Sequence, residues 1–158
     1  MGLTSHKGSL TCIGTGIQYI GQISLIAKSY IENADVVFTV LTNSMTHRWL
    51  STLNPNATCL SYLYETIDKI QNRADTYAAM VDEIVGQVRA GKNVVCAFYG
   101  HPSMYCDISH DALLLAEKEG FDTHVEPGIS AEACLWADLG IDPGDCGHQS
   151  FEASHFMF

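Results

Sequence analysis

The sequence contains few basic residues, with 8 Lys and Arg against 18 Asp and Glu and a formal net charge of -10. Proteins that bind nucleic acid neutralise phosphates with Lys and Arg, and no basic run occurs here. The chain also lacks an apolar stretch of the roughly 18 residues that a membrane helix needs, and its N-terminus has no apolar signal-peptide core. We therefore expect a cytoplasmic protein with no nucleic-acid partner and no membrane association.

Disulfide frameworks and zinc sites are also disfavoured, because the six cysteines form no CxxC pair. His101, Cys106 and His110 lie close together along the chain, but no acid or second cysteine completes a zinc spacing. Common enzyme motifs are missing as well: the GxGxxG of dinucleotide-binding proteins, the P-loop of NTPases and the GxSxG of α/β-hydrolases. We predict no metal site and none of these activities.

The sequence does contain a regular alternation of strand and helix patterns. It has 158 residues, 47% of them hydrophobic, which suits one domain with one core. Apolar and β-branched runs predict strands at 9–14, 35–41, 57–60, 93–99 and 121–127. Residues at helical spacing predict helices at 22–34, 45–53, 72–90, 109–119 and 131–139. This alternation predicts an α/β fold with a parallel sheet and flanking helices.

The end of the sequence predicts a change of domain. A last strand-like pattern begins near Gln149, and FEASHFMF ends as though within that strand. We therefore expect one α/β domain over residues 1–148 and the start of a second domain over residues 149–158, with the chain being part of something longer.

Three of the predicted strands are followed by turns that contain glycine: Gly14-Thr15-Gly16, Gly100-His101-Pro102 and Gly128-Ile129-Ser130-Ala131. The carboxyl ends of parallel strands form one edge of the sheet, where α/β proteins bind ligands. Glycine lets a ligand approach the backbone, and the start of a following helix offers free N–H donors. Each turn alone is ordinary, but three at one edge indicate a binding site.

The helix predicted over 72–90 begins with an unusual pair of side chains. With Asn72 as the N-cap, Arg73 lies in the first turn, where the helix dipole disfavours a cation by roughly 0.3–1 kcal/mol. Arg73 and Tyr77 are four residues apart and share the apolar face. Two interpretations are open: Arg73 reaches solvent or pairs with Asp68 or Asp75, or it points with Tyr77 into a cavity. Other tyrosines are candidates for the same cavity: Tyr62, Tyr64, Tyr99 and Tyr105.

The order of these segments resembles a known family. GSLTCIGTG, NRADTY, YGHP and PGISAEACLWADLGIDP, in this order and at these separations, resemble the N-terminal domain of the tetrapyrrole methylase superfamily. Within it, the chain is most similar to the borosin peptide-backbone α-N-methyltransferases, especially the bacterial split type, whose substrate is a separate protein. The resemblance covers essentially the whole chain.

The resemblance implies a two-domain fold that holds S-adenosylmethionine (SAM) in the cleft between the domains. It also implies a homodimer that methylates backbone amide nitrogens of a ribosomal precursor peptide supplied in trans. Gly100-His101-Pro102 stands where corrin and porphyrin methylases usually carry Gly-Asp-Pro, and Ile17-Gln18-Tyr19 where they carry Pro-Gly-Asp. Both departures favour a peptide substrate over a tetrapyrrole. The alternatives are a SAM-dependent corrin or precorrin C-methyltransferase and a non-catalytic βα module for binding or assembly.

Roles for particular residues follow from the same resemblance. Arg73 and Tyr77 match the family's catalytic arginine and tyrosine, and Tyr99 is expected to position the amide or the methyl donor. Tyr64 fits a third active-site tyrosine, with Tyr62 as its rival, because the segment between Tyr64 and Arg73 varies in length within the family. The residues expected to contact SAM are Tyr99, His101, Met104, Cys106, Ser130 and Ala131.

Overall fold

The computed structural model describes residues 7–41, 44–66 and 73–153, which form one parallel sheet with helices on both faces. The strands are β1 Ser9–Gly14, β2 Val36–Val40, β3 Ala57–Cys59, β4 Asn93–Phe98 and β5 Asp122–Glu126. Their order in the sheet is β3-β2-β4-β1-β5, and every neighbouring pair is parallel. The predicted α/β class is therefore confirmed, with strand bounds within about two residues of the predicted ones.

The helices also follow the predicted pattern. They are α1 Leu25–Asn33, α2 Ser44–Leu53, α3 Leu63–Thr66, α4 Arg73–Arg89, α5 Asp107–Lys118, α6 Ala131–Leu139 and α7 Pro143–Cys146, with a 3₁₀ turn at Leu60–Tyr62. The first helix begins three residues later than predicted because Ser24 caps it, its Oγ accepting from the Ala27 N–H at 2.9 Å. Asn72, the predicted cap of α4, lies outside the described residues.

Each strand in the middle of the sheet contributes to two apolar clusters, because successive side chains point to opposite faces. In β4, Val94, Cys96 and Phe98 pack beneath α4 and α5, whereas Val95 and Ala97 pack beneath α1 and α2. Both faces of the central strands are thus covered, as the continuous apolar runs predicted. The carboxyl edge of the sheet remains between these two layers of helices.

Three glycine backbones meet at that edge. The Gly16 and Gly100 backbones exchange hydrogen bonds, with N–O distances of 3.2 and 3.0 Å. A Cβ on Gly14 would lie 2.6 Å from the Gly128 Cα and would overlap the Gly100 carbonyl oxygen. Gly100 also has φ +71°, in the left-handed region that favours glycine. The turns after β1, β4 and β5 therefore form one packed backbone unit.

Over the described residues 149–152, the strand predicted to begin near Gln149 is not present. Residues 147–152 form neither helix nor strand, and two of their side chains bond to α6 instead: His148 and Ser150 both contact Glu132. The strand prediction is wrong for these residues because the segment lies against a helix and not at a sheet edge. Residues 154–158 lie outside the described part of the chain, so the second domain stays a prediction.

The glycine unit generates a stability prediction. Gly14→Ala introduces a methyl group into the contact with Gly100 and Gly128, so we expect the free energy of unfolding to fall by about 1–3 kcal/mol. Gly86→Ala is the control, because a Cβ at that position in α4 meets nothing within 4 Å. This control should gain up to about 1 kcal/mol from helix propensity. Urea unfolding followed by circular dichroism measures both, and an unchanged midpoint for Gly14→Ala would contradict the close packing.

Candidate active site

A cleft of about 950 Å³ opens at the carboxyl edge of the sheet. Its walls come from the ends of β2 and β4, from the beginnings of α4 and α5, and from residues 150–152. Four tyrosines line it: Tyr64, Tyr77, Tyr99 and Tyr105. Tyr62 is exposed and does not belong to the lining, so the geometry favours Tyr64 over its rival.

The beginning of α4 places a cation and a phenol together in the cleft. Arg73 is the first residue of the helix, and its Nε donates a hydrogen bond of 2.7 Å to the Tyr77 hydroxyl oxygen. The spacing of four residues brings the two side chains to the same face. The guanidinium is exposed toward the cleft, and its bonded partner is Tyr77, while Asp68 lies outside the described residues. The structure thus favours the cavity interpretation of this pair.

Tyr64, in α3, lines the cleft together with Arg73 and Tyr77. Burial, first, and then the hydrogen bond with Tyr77 raise the pKa of Tyr64 to about 12, outweighing the opposite effect of the Arg73 charge. Tyr64 is therefore protonated at neutral pH, although its side chain is 49% exposed. It adds a second phenol to the Arg73–Tyr77 pair in the cleft.

The loop after β4 forms another wall of the cleft. Tyr99 is 47% exposed and Met104 follows it in the lining. His101 does not line the cleft: its Nδ1 accepts from the Ser103 N–H at 3.0 Å, which holds the turn closed. Tyr105 has φ +53°, a strained conformation for an aromatic residue. The chain turns at this residue, two positions before α5 begins.

Cys106 ends this loop as the residue preceding α5, and it lies in the cleft lining. Burial raises the pKa of its thiol to about 11, against a weaker opposing hydrogen bond from the Ser109 backbone. The thiol is therefore neutral at physiological pH and a poor nucleophile. Its side chain therefore contributes a small apolar surface to the wall of the cleft.

Ser130 and Ala131, the other residues expected to contact the cofactor, lie beside the cleft and outside its lining. The Ser130 Oγ caps α6 by accepting from the Ala133 N–H at 3.1 Å. A Cβ on Gly100 would lie 4.0 Å from the Ser130 Cα, so the glycine unit joins this turn to the loop after β4. The predicted residues therefore fall into two groups. One group lines the tyrosine cleft, and the other lies in a neighbouring glycine cradle, formed by the turns that contain Gly14, Gly100 and Gly128.

Several lining residues were not predicted from the sequence, among them three acids and one aromatic residue: Asp107, Asp111, Glu152 and Phe151. Asp107 and Asp111 are four residues apart at the start of α5, so they share one helix face. This spacing could have identified them from the sequence as a pair of acids at the site. Phe151 and Glu152 reach the cleft only through the path of residues 147–152, which has no local signature. Within the ranges 7–41, 44–66 and 73–153, no group of three or more His, Cys, Asp or Glu is placed to hold a metal ion.

None of the helices that the structure describes is long and apolar enough to cross a bilayer.

The hydrogen-bonded tyrosines generate a titration prediction. The difference in tyrosinate absorbance between the wild-type protein and the Tyr64→Phe variant should titrate with a midpoint near pH 12, because Tyr64 is stabilised in its protonated form. The raised pKa contributes stability that is present below pH 10 and is lost as the pH rises through about 12. In a Tyr77→Phe background the same difference curve should shift to lower pH, since the acceptor is gone. A midpoint near 10 in both backgrounds would contradict the hydrogen bond.

Proteins that carry both a methyltransferase and a peptide precursor are similar to this chain. The methyltransferase and precursor of the cyclic peptide omphalotin A, from Omphalotus olearius, is 45% identical over 153 residues, 97% of this chain and 36% of that protein. The methyltransferase and type III borosin cyclic peptide precursor of Anomoporia bombycina is 38% identical over 152 residues, 96% of this chain and 17% of that protein. The chain thus spans at most about a third of these curated relatives. The predicted borosin resemblance is confirmed, while the split type stays a prediction.

Solved structures with the same fold include tetrapyrrole-modifying enzymes. Uroporphyrin-III-C-methyltransferase from Thermus thermophilus has a TM-score of 0.62 at 18% identity, covering 85% of this chain and 53% of that chain. Cobalt precorrin-4 methyltransferase has a TM-score of 0.62 at 22% identity, covering 90% of this chain and 54% of that chain. Identities this low show a shared fold alone. A family model for Tetrapyrrole (Corrin/Porphyrin) Methylases matches residues 9–155, and the chain therefore belongs to this family.

Proposed function

We propose that this chain is the N-terminal part of a SAM-dependent methyltransferase that methylates backbone amide nitrogens of a ribosomal precursor peptide. The observation that carries the proposal is the hydrogen bond of 2.7 Å from the Arg73 Nε to the Tyr77 oxygen inside a cleft that Tyr64, Tyr99 and Tyr105 also line. The names of the similar proteins, which join a methyltransferase to a cyclic peptide precursor, support the substrate class. Following the resemblance, we also propose a homodimer and a peptide supplied by a separate protein.

The cradle beside the cleft fits SAM. Gly14 and Gly128 leave no room for a Cβ against each other and the Gly100 carbonyl oxygen, and Gly100 has φ +71°, so the turns at this edge present backbone and not side chains at these three positions. Tyr99, His101, Met104, Cys106, Ser130 and Ala131 would hold the cofactor, which supplies an electrophilic methyl group when bound. The raised pKa of Cys106 keeps its thiol protonated, so it does not compete with the substrate for that methyl group.

The amide nitrogen of a peptide is a poor nucleophile, because its lone pair is delocalised into the carbonyl group. Removal of the N–H proton makes nitrogen nucleophilic and shifts negative charge onto the carbonyl oxygen. Fixed donors in a site with little water stabilise that charge. A base and a cation placed side by side are therefore the machinery that this reaction needs.

Tyr77 is the base in this proposal. Its oxygen accepts a hydrogen bond from the Arg73 Nε, so a permanent cation lies beside the atom that would take the amide proton. The Arg73 guanidinium keeps its charge throughout and remains available, through its other N–H groups, to the carbonyl oxygen. Tyr64 is the protonated donor, and Tyr99 positions the peptide at the opposite wall. In the proposed step the amide proton would end on the deprotonated Tyr77 oxygen, and the amide nitrogen would take the methyl group, whose bond to the cofactor's sulfur would break to leave a neutral thioether.

The activity is tested with the full-length protein, SAM and a precursor peptide. We expect SAM binding by calorimetry, together with methyl groups that tandem mass spectrometry places on backbone nitrogens. A methylated corrinoid beside an unmodified peptide would instead establish the corrin methyltransferase alternative. Absence of SAM binding to the full-length protein would overturn the methyltransferase proposal and favour a non-catalytic module.

The assignment of the base makes a separate prediction. Tyr77→Phe should lower kcat by about 100-fold or more, the usual contribution of a general base, while SAM affinity stays within about twofold. Tyr64→Phe should cost about tenfold, because it removes one hydrogen bond to a charged oxygen. Tyr62→Phe is the matched control outside the cleft and should leave turnover unchanged. If Tyr77→Phe turns over normally and Tyr64→Phe is inactive, the two roles are exchanged.

A further inference from the structure

The segment after α7 returns along α6 and enters the cleft. Ser150, Phe151 and Glu152 all line the cleft, and Phe151 is 61% exposed there. Glu152 adds to the negative field around Arg73, whose pKa is raised mainly by its hydrogen bond to Tyr77 and in smaller part by Glu152. Three consecutive residues distant in sequence from α4 thus complete the wall near the proposed base.

Glu132, the second residue of α6, is the anchor of this segment. Its Oε1 lies 3.2 Å from the His148 Nε2 and also accepts a hydrogen bond from the Ser150 Oγ. Trp136, one turn further along α6, contacts the edge of the His148 ring, with the ring centroids 5.2 Å apart. One carboxylate therefore holds two positions of the segment, immediately before the residues that enter the cleft.

The position of Glu132 joins the two halves of the site. It follows Ser130 and Ala131, which belong to the proposed cofactor cradle, and it bonds to residues that lead to the substrate side. None of the residues of α6 is buried, so the carboxylate is not held there by packing into the core. A carboxylate in the first turn of a helix is also favoured by the helix dipole. Its bonds to His148 and Ser150 therefore tie the segment to α6 at two positions.

Building on the proposed function, we propose that Glu132 is a positioning residue that fastens residues 148–150 to α6 and so keeps Phe151 and Glu152 in the substrate wall of the cleft. Phe151 then offers an apolar surface to a side chain of the peptide, and Glu152 places a negative charge beside Arg73. Glu132 touches no reacting atom in this arrangement. Its effect is therefore on binding of the peptide and not on the chemical step.

The test compares Glu132→Ala with Asp138→Ala in the full-length protein. Asp138 is an exposed acid on the same helix, and among the described residues it makes no hydrogen bond or ion pair with residues 147–152. In Glu132→Ala, amide hydrogen exchange of residues 147–152 should speed up by about tenfold, since two hydrogen bonds are lost. Asp138→Ala should exchange like the wild type.

Peptide kinetics supply the second readout. Glu132→Ala should raise KM for the precursor peptide by about fivefold or more, with kcat and SAM affinity within about twofold of the wild type. Glu132→Gln keeps an acceptor oxygen for Ser150 and should restore most of the wild-type KM. Faster exchange without a change in KM overturns the positioning role, and so does an equal loss of peptide and SAM binding.

The two proposals fail in different ways. If the wild-type protein methylates no peptide, the proposed function is wrong, and the exchange comparison alone then decides whether Glu132 holds the segment. If the peptide is methylated and Glu132→Ala matches Asp138→Ala in both exchange and KM, the proposed function stands and the role of Glu132 is overturned.

Discussion

The site depends on the close approach of three backbones at the carboxyl edge of the sheet. Gly14 and Gly128 touch each other and the Gly100 carbonyl oxygen where a side chain on either would force the backbones apart, and the Gly16–Gly100 hydrogen bonds join the turns after β1 and β4. Because the turns are packed against each other, the loop that carries Tyr99 and the helix that begins at Ala131 keep a constant separation. A cofactor cradle and a substrate cleft side by side follow from this contact.

The chemistry of the cleft depends on a second local constraint, the helical spacing of Arg73 and Tyr77. A cation in the first turn of α4 is opposed by the helix dipole, and its hydrogen bond to Tyr77 offsets that cost. Tyr64 then approaches from α3, and burial is the largest cause that raises its pKa to about 12. The Arg73–Tyr77 hydrogen bond places a permanent cation and a phenol where both can act on one peptide amide. The amide-activating role proposed for Tyr77 rests on this arrangement.

Much of this architecture was predictable from the sequence, for identifiable reasons. The continuous apolar runs of β2 and β4 and the helical spacing within α4 are strong local patterns, so the parallel sheet and its covering helices followed from them. The strand near Gln149 failed because a short mixed segment has no period strong enough to distinguish an edge strand from a coil bonded to a helix. His101 and Ser130, whose roles were predicted from the resemblance, lie beside the cleft. Their roles can be tested only with a bound cofactor.

The amino-acid sequence by itself determined the elements, the placing of glycine turns at one edge and the sharing of a helix face by Arg73 and Tyr77, because these depend on periodicity and on residues near one another in the chain. The tertiary structure decided which tyrosine lies beside that pair, since Tyr62 ends the 3₁₀ turn outside the cleft lining and Tyr64, in α3, belongs to the lining. It also decided that Glu132 holds His148 and Ser150, and that Phe151 and Glu152 reach the cleft. Such contacts join residues far apart in sequence, and no local preference encodes them.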